Sequence, residues 1–303
     1  MKSTRKAYGE FLVEEGEKNN DIVVFDADLA SATQTKLFAD HFPNRHFDIG
    51  IAEQDMVGTA CGMALSGKKV FASSFAMFLA GRAYEQIRNT AAYSHVDINL
   101  CATHAGLAVG EDGATHQCIE DIALMNVIPD MKIFSPADEM ATKKILKQCL
   151  NINGTKYIRL GRSDTPDIYS DIFEFSLGGS HTFGCGADGT IFATGMTVSL
   201  ALEAKTLLKE KGIEVRVVDL YCIKPVDKFA VLKSAKETEK LISIEDHSII
   251  GGIGSIISNV LSDEYPKKLV KIGVNDQFGK SGNAQKIYEL YGITVENIIN
   301  QFG

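Results

Sequence analysis

The sequence has 303 residues, of which 45% are hydrophobic and 23% charged, so it is long and apolar enough for two domains with buried cores. Its formal net charge is −8 without a long basic run, which argues against nucleic acid as a main partner. No apolar run approaches the roughly 20 residues of a membrane span. The polar start, residues 1–19, lacks the apolar core of a signal peptide. We therefore expect a cytoplasmic protein that does not bind membranes.

Short apolar runs alternate with helix-like segments in the first half of the chain. The predicted strands are 21–29, 68–75, 96–103, 131–136 and 156–160. The predicted helices are 53–67, 80–94, 119–127 and 137–151. This alternation predicts an α/β fold with a mostly parallel sheet covered by helices on both faces.

A polar stretch rich in glycine, serine and aspartate, 161–189, interrupts the alternation. A second α/β run follows it. Its predicted strands are 190–198, 213–223, 240–247 and 268–275, and its predicted helices are 199–212, 281–292 and 294–301. We therefore expect two α/β domains, at 1–165 and 186–303, joined by a linker at 166–185.

Six cysteines are scattered along the chain without a CxxC pair, mostly in apolar contexts. This usage predicts reduced, buried thiols rather than a disulfide framework.

Polar motifs follow the predicted strands of the first domain. They are DADLASAT (26–33), SSFAMF (73–78), THAGLAVGEDGATHQ (103–117) and GRSD (161–164). In parallel α/β sheets ligands bind at the carboxyl ends of the strands. The pattern therefore predicts one site where these four loops meet.

Glu53 follows a strand-like stretch and begins a predicted helix. An acid in the first turn of a helix is explained by the helix dipole alone, so a functional role is one of two interpretations. The helix itself is poor in large side chains, its small residues being Gly58, Ala60, Cys61, Gly62 and Ala64. Such a helix suits close packing against another element, for example a second subunit.

Aromatic and titratable side chains lie in the other strand-end loops. Phe75 and Phe78, three residues apart, are typical either of a core or of a ligand-binding pair. His104, Asp112 and His116 lack the spacing of known metal motifs, and they suit polar recognition of a hydroxylated or anionic substrate better than metal ligation. Arg162 is able to bind a phosphate or to form a surface ion pair.

Glycine-rich motifs for other chemistries are incomplete. GGIGSI (251–256) is followed by Ile257, where a dinucleotide-binding fingerprint has its third glycine. The sequence contains neither the phosphate-binding loop motif GxxxxGK[ST] nor the nucleophile-elbow motif GxSxG of hydrolases.

Several of these segments together resemble the transketolase family. The segments 45–67, 73–89, 103–138 and 157–162 resemble its pyrimidine-binding domain, and FGKSGNAQKIYELYGIT (278–294) is similar to its C-terminal domain. The combination of GIAEQ with GEDGATHQ is highly specific for that family.

The resemblance implies a thiamine diphosphate enzyme. Glu53 matches the glutamate that binds the aminopyrimidine ring and favours its imino form, which generates the ylid. Phe75 and Phe78 match aromatic residues that pack on this ring, and Asp28 matches an aspartate near the thiazolium. The family often has a tyrosine where Gly81 stands here.

The resemblance also implies a sugar-phosphate substrate. His104, Arg162 and Arg5 match groups that bind the phosphate, whereas Asp112 and His116 match groups that contact the hydroxyls. We expect His104 and His116 to act in catalysis together with the cofactor-binding glutamate. The family's phosphate-binding serine has no clean match, because an alanine, residue 32, falls there.

Transketolases bind the diphosphate and Mg²⁺ through a further domain with a GDG motif, for which the sequence has no equivalent. The resemblance therefore implies the C-terminal section of a split, two-chain transketolase of carbohydrate metabolism, for example of the pentose phosphate pathway. We expect a partner, the N-terminal-section subunit, to hold the diphosphate and Mg²⁺. We also expect the chain itself to form a two-fold dimer within a heterotetramer.

Three other functions remain open at this point. The β subunit of a 2-oxo acid dehydrogenase shares the two-domain plan, and deoxyxylulose-phosphate synthase has a similar GEDGATHQ loop. A non-catalytic regulatory subunit is a third possibility. The loop favours a sugar-phosphate enzyme over the 2-oxo acid dehydrogenase, and retention of the whole set of site residues argues against a merely regulatory subunit.

Overall fold

The computed structural model describes residues 1–303. The strands are β1 Lys2–Ser3, β2 Ile22–Asp26, β3 His46–Asp48, β4 Lys69–Phe75, β5 Ile98–Thr103, β6 Lys132–Phe134, β7 Thr155–Arg159, β8 Asp164–Thr165, β9 His181–Phe183, β10 Gly189–Ala193, β11 Val215–Asp219, β12 Cys222–Lys224, β13 Lys240–Ser248 and β14 Leu269–Val274. The α-helices are α1 Thr4–Gly16, α2 Ala30–Thr33, α3 Lys36–His41, α4 Glu53–Leu65, α5 Tyr84–Gln86, α6 Asp121–Asn126, α7 Glu139–Cys149, α8 Thr197–Glu210, α9 Lys228–Glu237, α10 Ile253–Glu264, α11 Ala284–Leu290 and α12 Val295–Asn300. Short 3₁₀ helices cover Pro43–Arg45 and Leu107–Asp112.

Two large sheets organise the chain, as predicted, and β1 and β8 form a separate two-stranded antiparallel sheet. The first has the strand order β12-β6-β7-β5-β4-β2-β3 and is parallel except for β12. The second has the order β14-β13-β10-β11-β9 and is parallel except for β9. Every residue of the central strands β2 and β5 is buried. Strands that are buried on both faces consist of nearly continuous apolar residues, and for this reason they could be predicted from the sequence.

The segment 213–223 is not one strand, so this prediction is wrong. Its first part, β11, lies in the second sheet, whereas β12 pairs antiparallel with β6 in the first. Between them the carbonyl of Tyr221 accepts a hydrogen bond from the N–H of Ser135 at 2.9 Å. Both parts of the segment are apolar. The periodicity of its hydrophobic residues therefore does not indicate that the chain passes from one sheet to the other. The first sheet is therefore completed by chain from the second half of the sequence.

The segment 166–185, predicted as an irregular linker, contributes to the second sheet. Strand β9 lies within it and pairs antiparallel with β11, so this sheet begins before residue 186. An aromatic cluster precedes the strand, in which the ring of Tyr169 lies 4.8 Å from that of Phe173 and 4.9 Å from that of Phe175. The hydroxyl of Tyr169 donates to the buried carboxyl of Asp219 at 2.7 Å. The connection is thus packed against the second domain.

Several element boundaries also differ from the prediction. The segment predicted as one helix, 80–94, begins earlier and is largely π-helical, in the segments Met77–Arg82 and Ile87–Tyr93. The strand predicted at 190–198 ends at Ala193, because Gly195 at φ +55° turns the chain into α8. Helices α2, α3, α9 and α10 were not predicted.

Five of the six cysteines are buried as free thiols, and only Cys185 is exposed. None of the helices combines the length and the apolar character that crossing a membrane requires.

Candidate active site

The carboxyl ends of three neighbouring strands bring the predicted site residues together. Strand β2 ends at Asp26, β4 ends at Phe75, and β5 ends at Thr103, directly before His104. These strands are adjacent and parallel in the first sheet. This is the edge at which α/β sheets bind ligands, as the motifs predicted.

Four rings form one cluster at this edge. The rings of Phe75 and His104 stack at a centroid distance of 3.8 Å, and those of Phe75 and Phe78 stack at 5.6 Å. The ring of His116 meets Phe78 edge-on at 5.2 Å. The structure therefore brings together the predicted cofactor-binding aromatics and the two predicted histidines of the substrate loop.

His104 is held in one orientation and one tautomer. It is buried, and its backbone has φ +56°, a conformation that a non-glycine residue adopts only when its surroundings impose it. Its Nε2 lies 3.3 Å from Nη1 of Arg5, and its Nδ1 lies 2.9 Å from Oγ1 of Thr103. A guanidinium can only donate, so Nε2 accepts and the proton resides on Nδ1. Burial lowers the pKa of His104 to about 3, and Arg5 and other nearby cations contribute to this shift.

Two arginines surround this imidazole. Arg5 donates from Nη1 to the carbonyl of Ala32 at 2.8 Å, while its buried Nε has no partner. Arg162 donates to the carbonyl of Val109 in the following loop. Burial and the neighbouring Arg162 lower the pKa of Arg5. Two guanidinium groups and an imidazole kept neutral thus form a cationic site with a buried donor available to an anion.

Glu53 is the first residue of α4, and only 3% of it is exposed. Its Oε1 accepts a hydrogen bond from Nη1 of Arg82 at 3.0 Å. The same guanidinium lies 3.9 Å from the centroid of the Phe78 ring. The helix-dipole interpretation accounts for an acid at this position, but it does not require the carboxylate to be buried close to an aromatic pair. The local structure therefore favours the functional interpretation.

The glycine at the family's tyrosine position has a structural consequence. A Cβ atom at Gly81 would lie 2.4 Å from Cε of Met77. The methionine side chain thus fills the space into which a larger residue would extend. Because methionine is flexible, this side of the pocket adapts more easily than a tyrosine wall would.

Two of the nine predicted site residues are exposed to solvent. Asp28 is exposed at φ +58°, and its N–H donates to Oδ1 of Asp48 at 2.9 Å. Asp112 is exposed at the end of the 3₁₀ helix Leu107–Asp112. No group of three or more His, Cys, Asp or Glu side chains is arranged to hold a metal ion.

Sequence reasoning missed several polar residues of the site. Arg82 stands four residues after Phe78, a helical spacing that could have suggested their contact. Thr103 orients the histidine that follows it. Asp26 accepts hydrogen bonds from the hydroxyls of Thr33 and Thr35 at 2.7 and 2.9 Å, and burial raises its pKa to about 6. Only the position of Asp26 at a strand end signalled it in the sequence.

Family models match both domains. The transketolase pyrimidine-binding domain matches residues 1–167, and the transketolase C-terminal domain matches residues 184–298. The chain is 46% identical to a putative transketolase C-terminal section from Methanocaldococcus jannaschii, over 98% of this chain and 94% of that protein. It is 40% identical to one of the subunits of the apulose-4-phosphate transketolase of Phocaeicola vulgatus, over 98% of this chain and 96% of that protein.

A solved structure shows the same fold. It is described as a split gene transketolase in an inactive β4 tetramer, and it superimposes with a TM-score of 0.92 at 46% identity, covering 100% of this chain and 97% of that one. The fold and site thus define a two-domain protein built from pyrimidine-binding and C-terminal transketolase domains. The chain belongs to the transketolase family, which confirms the resemblance found in the sequence.

Proposed function

We propose that this chain is one subunit of a thiamine-diphosphate-dependent transketolase that transfers a two-carbon ketol unit from a ketose phosphate to an aldose. The observation that carries the proposal is the buried carboxylate of Glu53, which Arg82 connects to Phe78 of the aromatic pair Phe75 and Phe78. Such an enzyme belongs to the class of transferases that transfer aldehyde or ketone groups. The two relatives support it, because one is a transketolase section and the other a transketolase subunit.

The residues at the end of β4 suit the pyrimidine end of the cofactor. Phe75 and Phe78 offer an apolar, aromatic surface for a heteroaromatic ring. Arg82 binds Oε1 of Glu53, so Oε2 remains for a hydrogen bond with a ring nitrogen. When bound, thiamine diphosphate stabilises the carbanion formed from the ketose. The role of Glu53 is to hold a proton at that ring nitrogen, and we place Asp28 near the thiazolium.

The diphosphate and its Mg²⁺ are proposed to be held by a partner chain, the N-terminal-section subunit. Two relatives of nearly the same length support a two-chain enzyme, because one is a C-terminal section and the other is a single subunit of its transketolase. The related β4 tetramer supports self-association of this subunit. We propose a two-fold dimer of this chain within a heterotetramer that acts in the cytoplasm.

The cationic site is proposed to bind the sugar phosphate. Arg5 supplies a buried donor without a partner, and Arg162 supplies a second guanidinium. If Arg5 turns to the phosphate, Nε2 of His104 is released as an acceptor for the substrate. Asp112 and His116, on the adjacent loop, are proposed to contact the hydroxyls of the sugar, with His104 and His116 close to the reacting atoms.

Replacing Arg5 or Arg162 by alanine should mainly raise KM for phosphorylated sugars. A phosphate contact made equally in the ground and transition states affects KM more than kcat. Each lost charge-assisted hydrogen bond costs about 1.5–3 kcal/mol, so we expect KM to rise roughly 10- to 150-fold. Steady-state kinetics with a phosphorylated and a non-phosphorylated donor test this. Equal damage with both donors would mean that these residues do not bind phosphate.

The proposed function is tested by reconstitution. The purified chain with thiamine diphosphate and Mg²⁺ should show no ketol transfer, and addition of an N-terminal-section transketolase subunit should restore it. The assay uses a panel of ketose phosphates, because the apulose-4-phosphate enzyme indicates that substrates vary among relatives. Turnover by the chain alone would contradict the two-chain proposal.

The same reconstituted complex separates the alternatives when it is also given 2-oxo acids, and pyruvate together with a triose phosphate. Decarboxylation of a 2-oxo acid without ketol transfer would favour a dehydrogenase β subunit, and condensation of pyruvate with a triose phosphate would favour a deoxyxylulose-phosphate synthase. Activity of the partner alone, changed only in rate by this chain, would favour a regulatory subunit. The pentose phosphate pathway is our proposal for the physiological context.

A further inference from the structure

The loop 105–117, which carries Asp112 and His116, is held from the second domain. The N–H of Leu107, the first residue of its 3₁₀ helix, donates to Oδ1 of Asp246 at 2.8 Å. The other carboxylate oxygen, Oδ2, accepts a hydrogen bond from the hydroxyl of Tyr288 at 2.7 Å. Asp246 lies on β13 and Tyr288 on α11, so two elements of the C-terminal domain converge on the start of this loop.

Gly106 shows how closely this carboxylate approaches the loop. A Cβ atom at Gly106 would lie 2.0 Å from Oδ2 of Asp246, and the residue has φ +77°. A side chain at this position would meet both a steric and a conformational obstacle. The glycine thus lets the backbone of the loop lie directly against Asp246.

The far end of the loop is held in the same way. Nε2 of Gln117 donates to the carbonyl of Leu107 and to that of Lys280, both at 3.0 Å. The hydroxyl of Ser281 donates to the carbonyl of Glu111. Residues of the segment before α11 therefore fix the middle and the end of the loop, beside the two side chains proposed to contact the sugar.

Asp246 is itself anchored to the first domain. Its carbonyl accepts a hydrogen bond from Nη2 of Arg159 at 2.7 Å, and Nε of the same arginine donates to Oδ2 of Asp121 at 2.9 Å. All three residues are buried. Asp246 is therefore a rigid point between the domains rather than a mobile surface group.

We propose that the C-terminal domain positions the substrate-binding loop, with Asp246 as a positioning residue that Tyr288 orients. The proposal rests on the proposed function only for the role of the loop in sugar binding. Asp246 does not reach the reacting atoms. It acts through the backbone at Leu107, which sets where Asp112 and His116 stand.

The test uses Asp246→Ala and Tyr288→Phe, with two control variants. Asp246→Asn keeps an acceptor for Leu107, and its amide can donate to the hydroxyl of Tyr288, so it should behave like the wild type. Tyr169→Phe removes a hydroxyl that donates to the carboxyl of Asp219 at 2.7 Å, packed against the same domain but without a bond to Asp246.

The first readout is amide hydrogen exchange in the chain alone. Asp246→Ala and Tyr288→Phe should speed exchange at Leu107 and Gln117 at least tenfold while strand β4 stays protected, and both controls should match the wild type. The second readout is kinetics in the reconstituted complex. The same two variants should raise KM for the sugar phosphates about tenfold or more, with kcat changed less than threefold.

Unchanged exchange at Leu107 in Asp246→Ala would overturn the proposal, as would faster exchange spread equally over the core strands. Faster loop exchange with an unchanged KM in an active complex would overturn it as well. If the wild-type complex has no transketolase activity, the proposed function fails, and the exchange result alone then decides whether Asp246 holds the loop.

Discussion

Replacing Glu53 by glutamine should abolish most transketolase activity and leave the fold intact. Glutamine has the same shape and keeps an oxygen for the hydrogen bond from Arg82, but it cannot exchange a proton with the cofactor ring. Loss of a positioned acid–base group typically costs 10²- to 10⁴-fold in rate, so we expect kcat to fall by about that factor. The direct measurement is deuterium exchange at the thiazolium carbon in the reconstituted complex.

The stability cost of this substitution should be small. An acid in the first turn of a helix is worth about 0.3–1 kcal/mol. The pair with Arg82 adds little, because half of the arginine side chain is exposed and such pairs are screened by solvent. Urea unfolding of the variant should therefore show a loss of no more than about 2 kcal/mol.

Asp55→Asn is the matched control for Glu53→Gln. Asp55 lies in the same first turn of α4 and makes the same dipole interaction, but its side chain is exposed and has no bond to Arg82. It should lose comparable stability and keep full activity. If Glu53→Gln exchanged deuterium at the wild-type rate, the helix-dipole interpretation would be sufficient and Glu53 would not activate the cofactor.

The sequence predicted the layers of the fold because each core strand is a short apolar run between helical segments. It did not predict how the second half of the chain completes the first sheet. Strand β12 is only three residues long, Cys222–Lys224, and its pairing with β6 depends on contacts between distant segments. Strand β9, inside the segment expected to be a linker, was not predicted for a similar reason, since the polar stretch around it is ordered by aromatic packing that has no regular spacing.

The part of the candidate site that lies at the ends of the strands could be predicted from the sequence. Phe75 ends β4 and His104 follows β5, and parallel pairing brings them into contact. The tautomer of His104 was not predictable, because it depends on Arg5, which lies 99 residues earlier in the chain. The hydrogen bond from Leu107 to Asp246 joins residues that are 139 positions apart in the sequence. A contact between such distant residues cannot be inferred from a single sequence.

Helix α4 provides the second prediction with a large expected effect, on assembly. Gly62 is exposed on this helix, and a Cβ atom there would meet nothing within 4 Å in the chain. The side chain of Leu65, three residues further along the helix, is 73% exposed. A small, open surface beside an exposed apolar side chain is what close packing against a second copy would use. This agrees with the proposed two-fold dimer and with the related β4 tetramer.

Replacing Gly62 by leucine should leave the monomer fold unharmed, because the space is open and leucine favours a helix over glycine by roughly 1 kcal/mol. In a two-fold interface the substitution occurs in both copies. Overpacking costs about 1–3 kcal/mol at each site, so dimerisation should weaken by roughly 2–6 kcal/mol, or about 30-fold or more in Kd. Light scattering coupled to size exclusion, with and without the partner, measures this at a series of concentrations. Lys209→Leu, which exposes a leucine on α8, serves as the control and should assemble normally. A wild-type complex that remains a one-to-one heterodimer at micromolar concentration and is fully active would show that α4 does not mediate a required dimer.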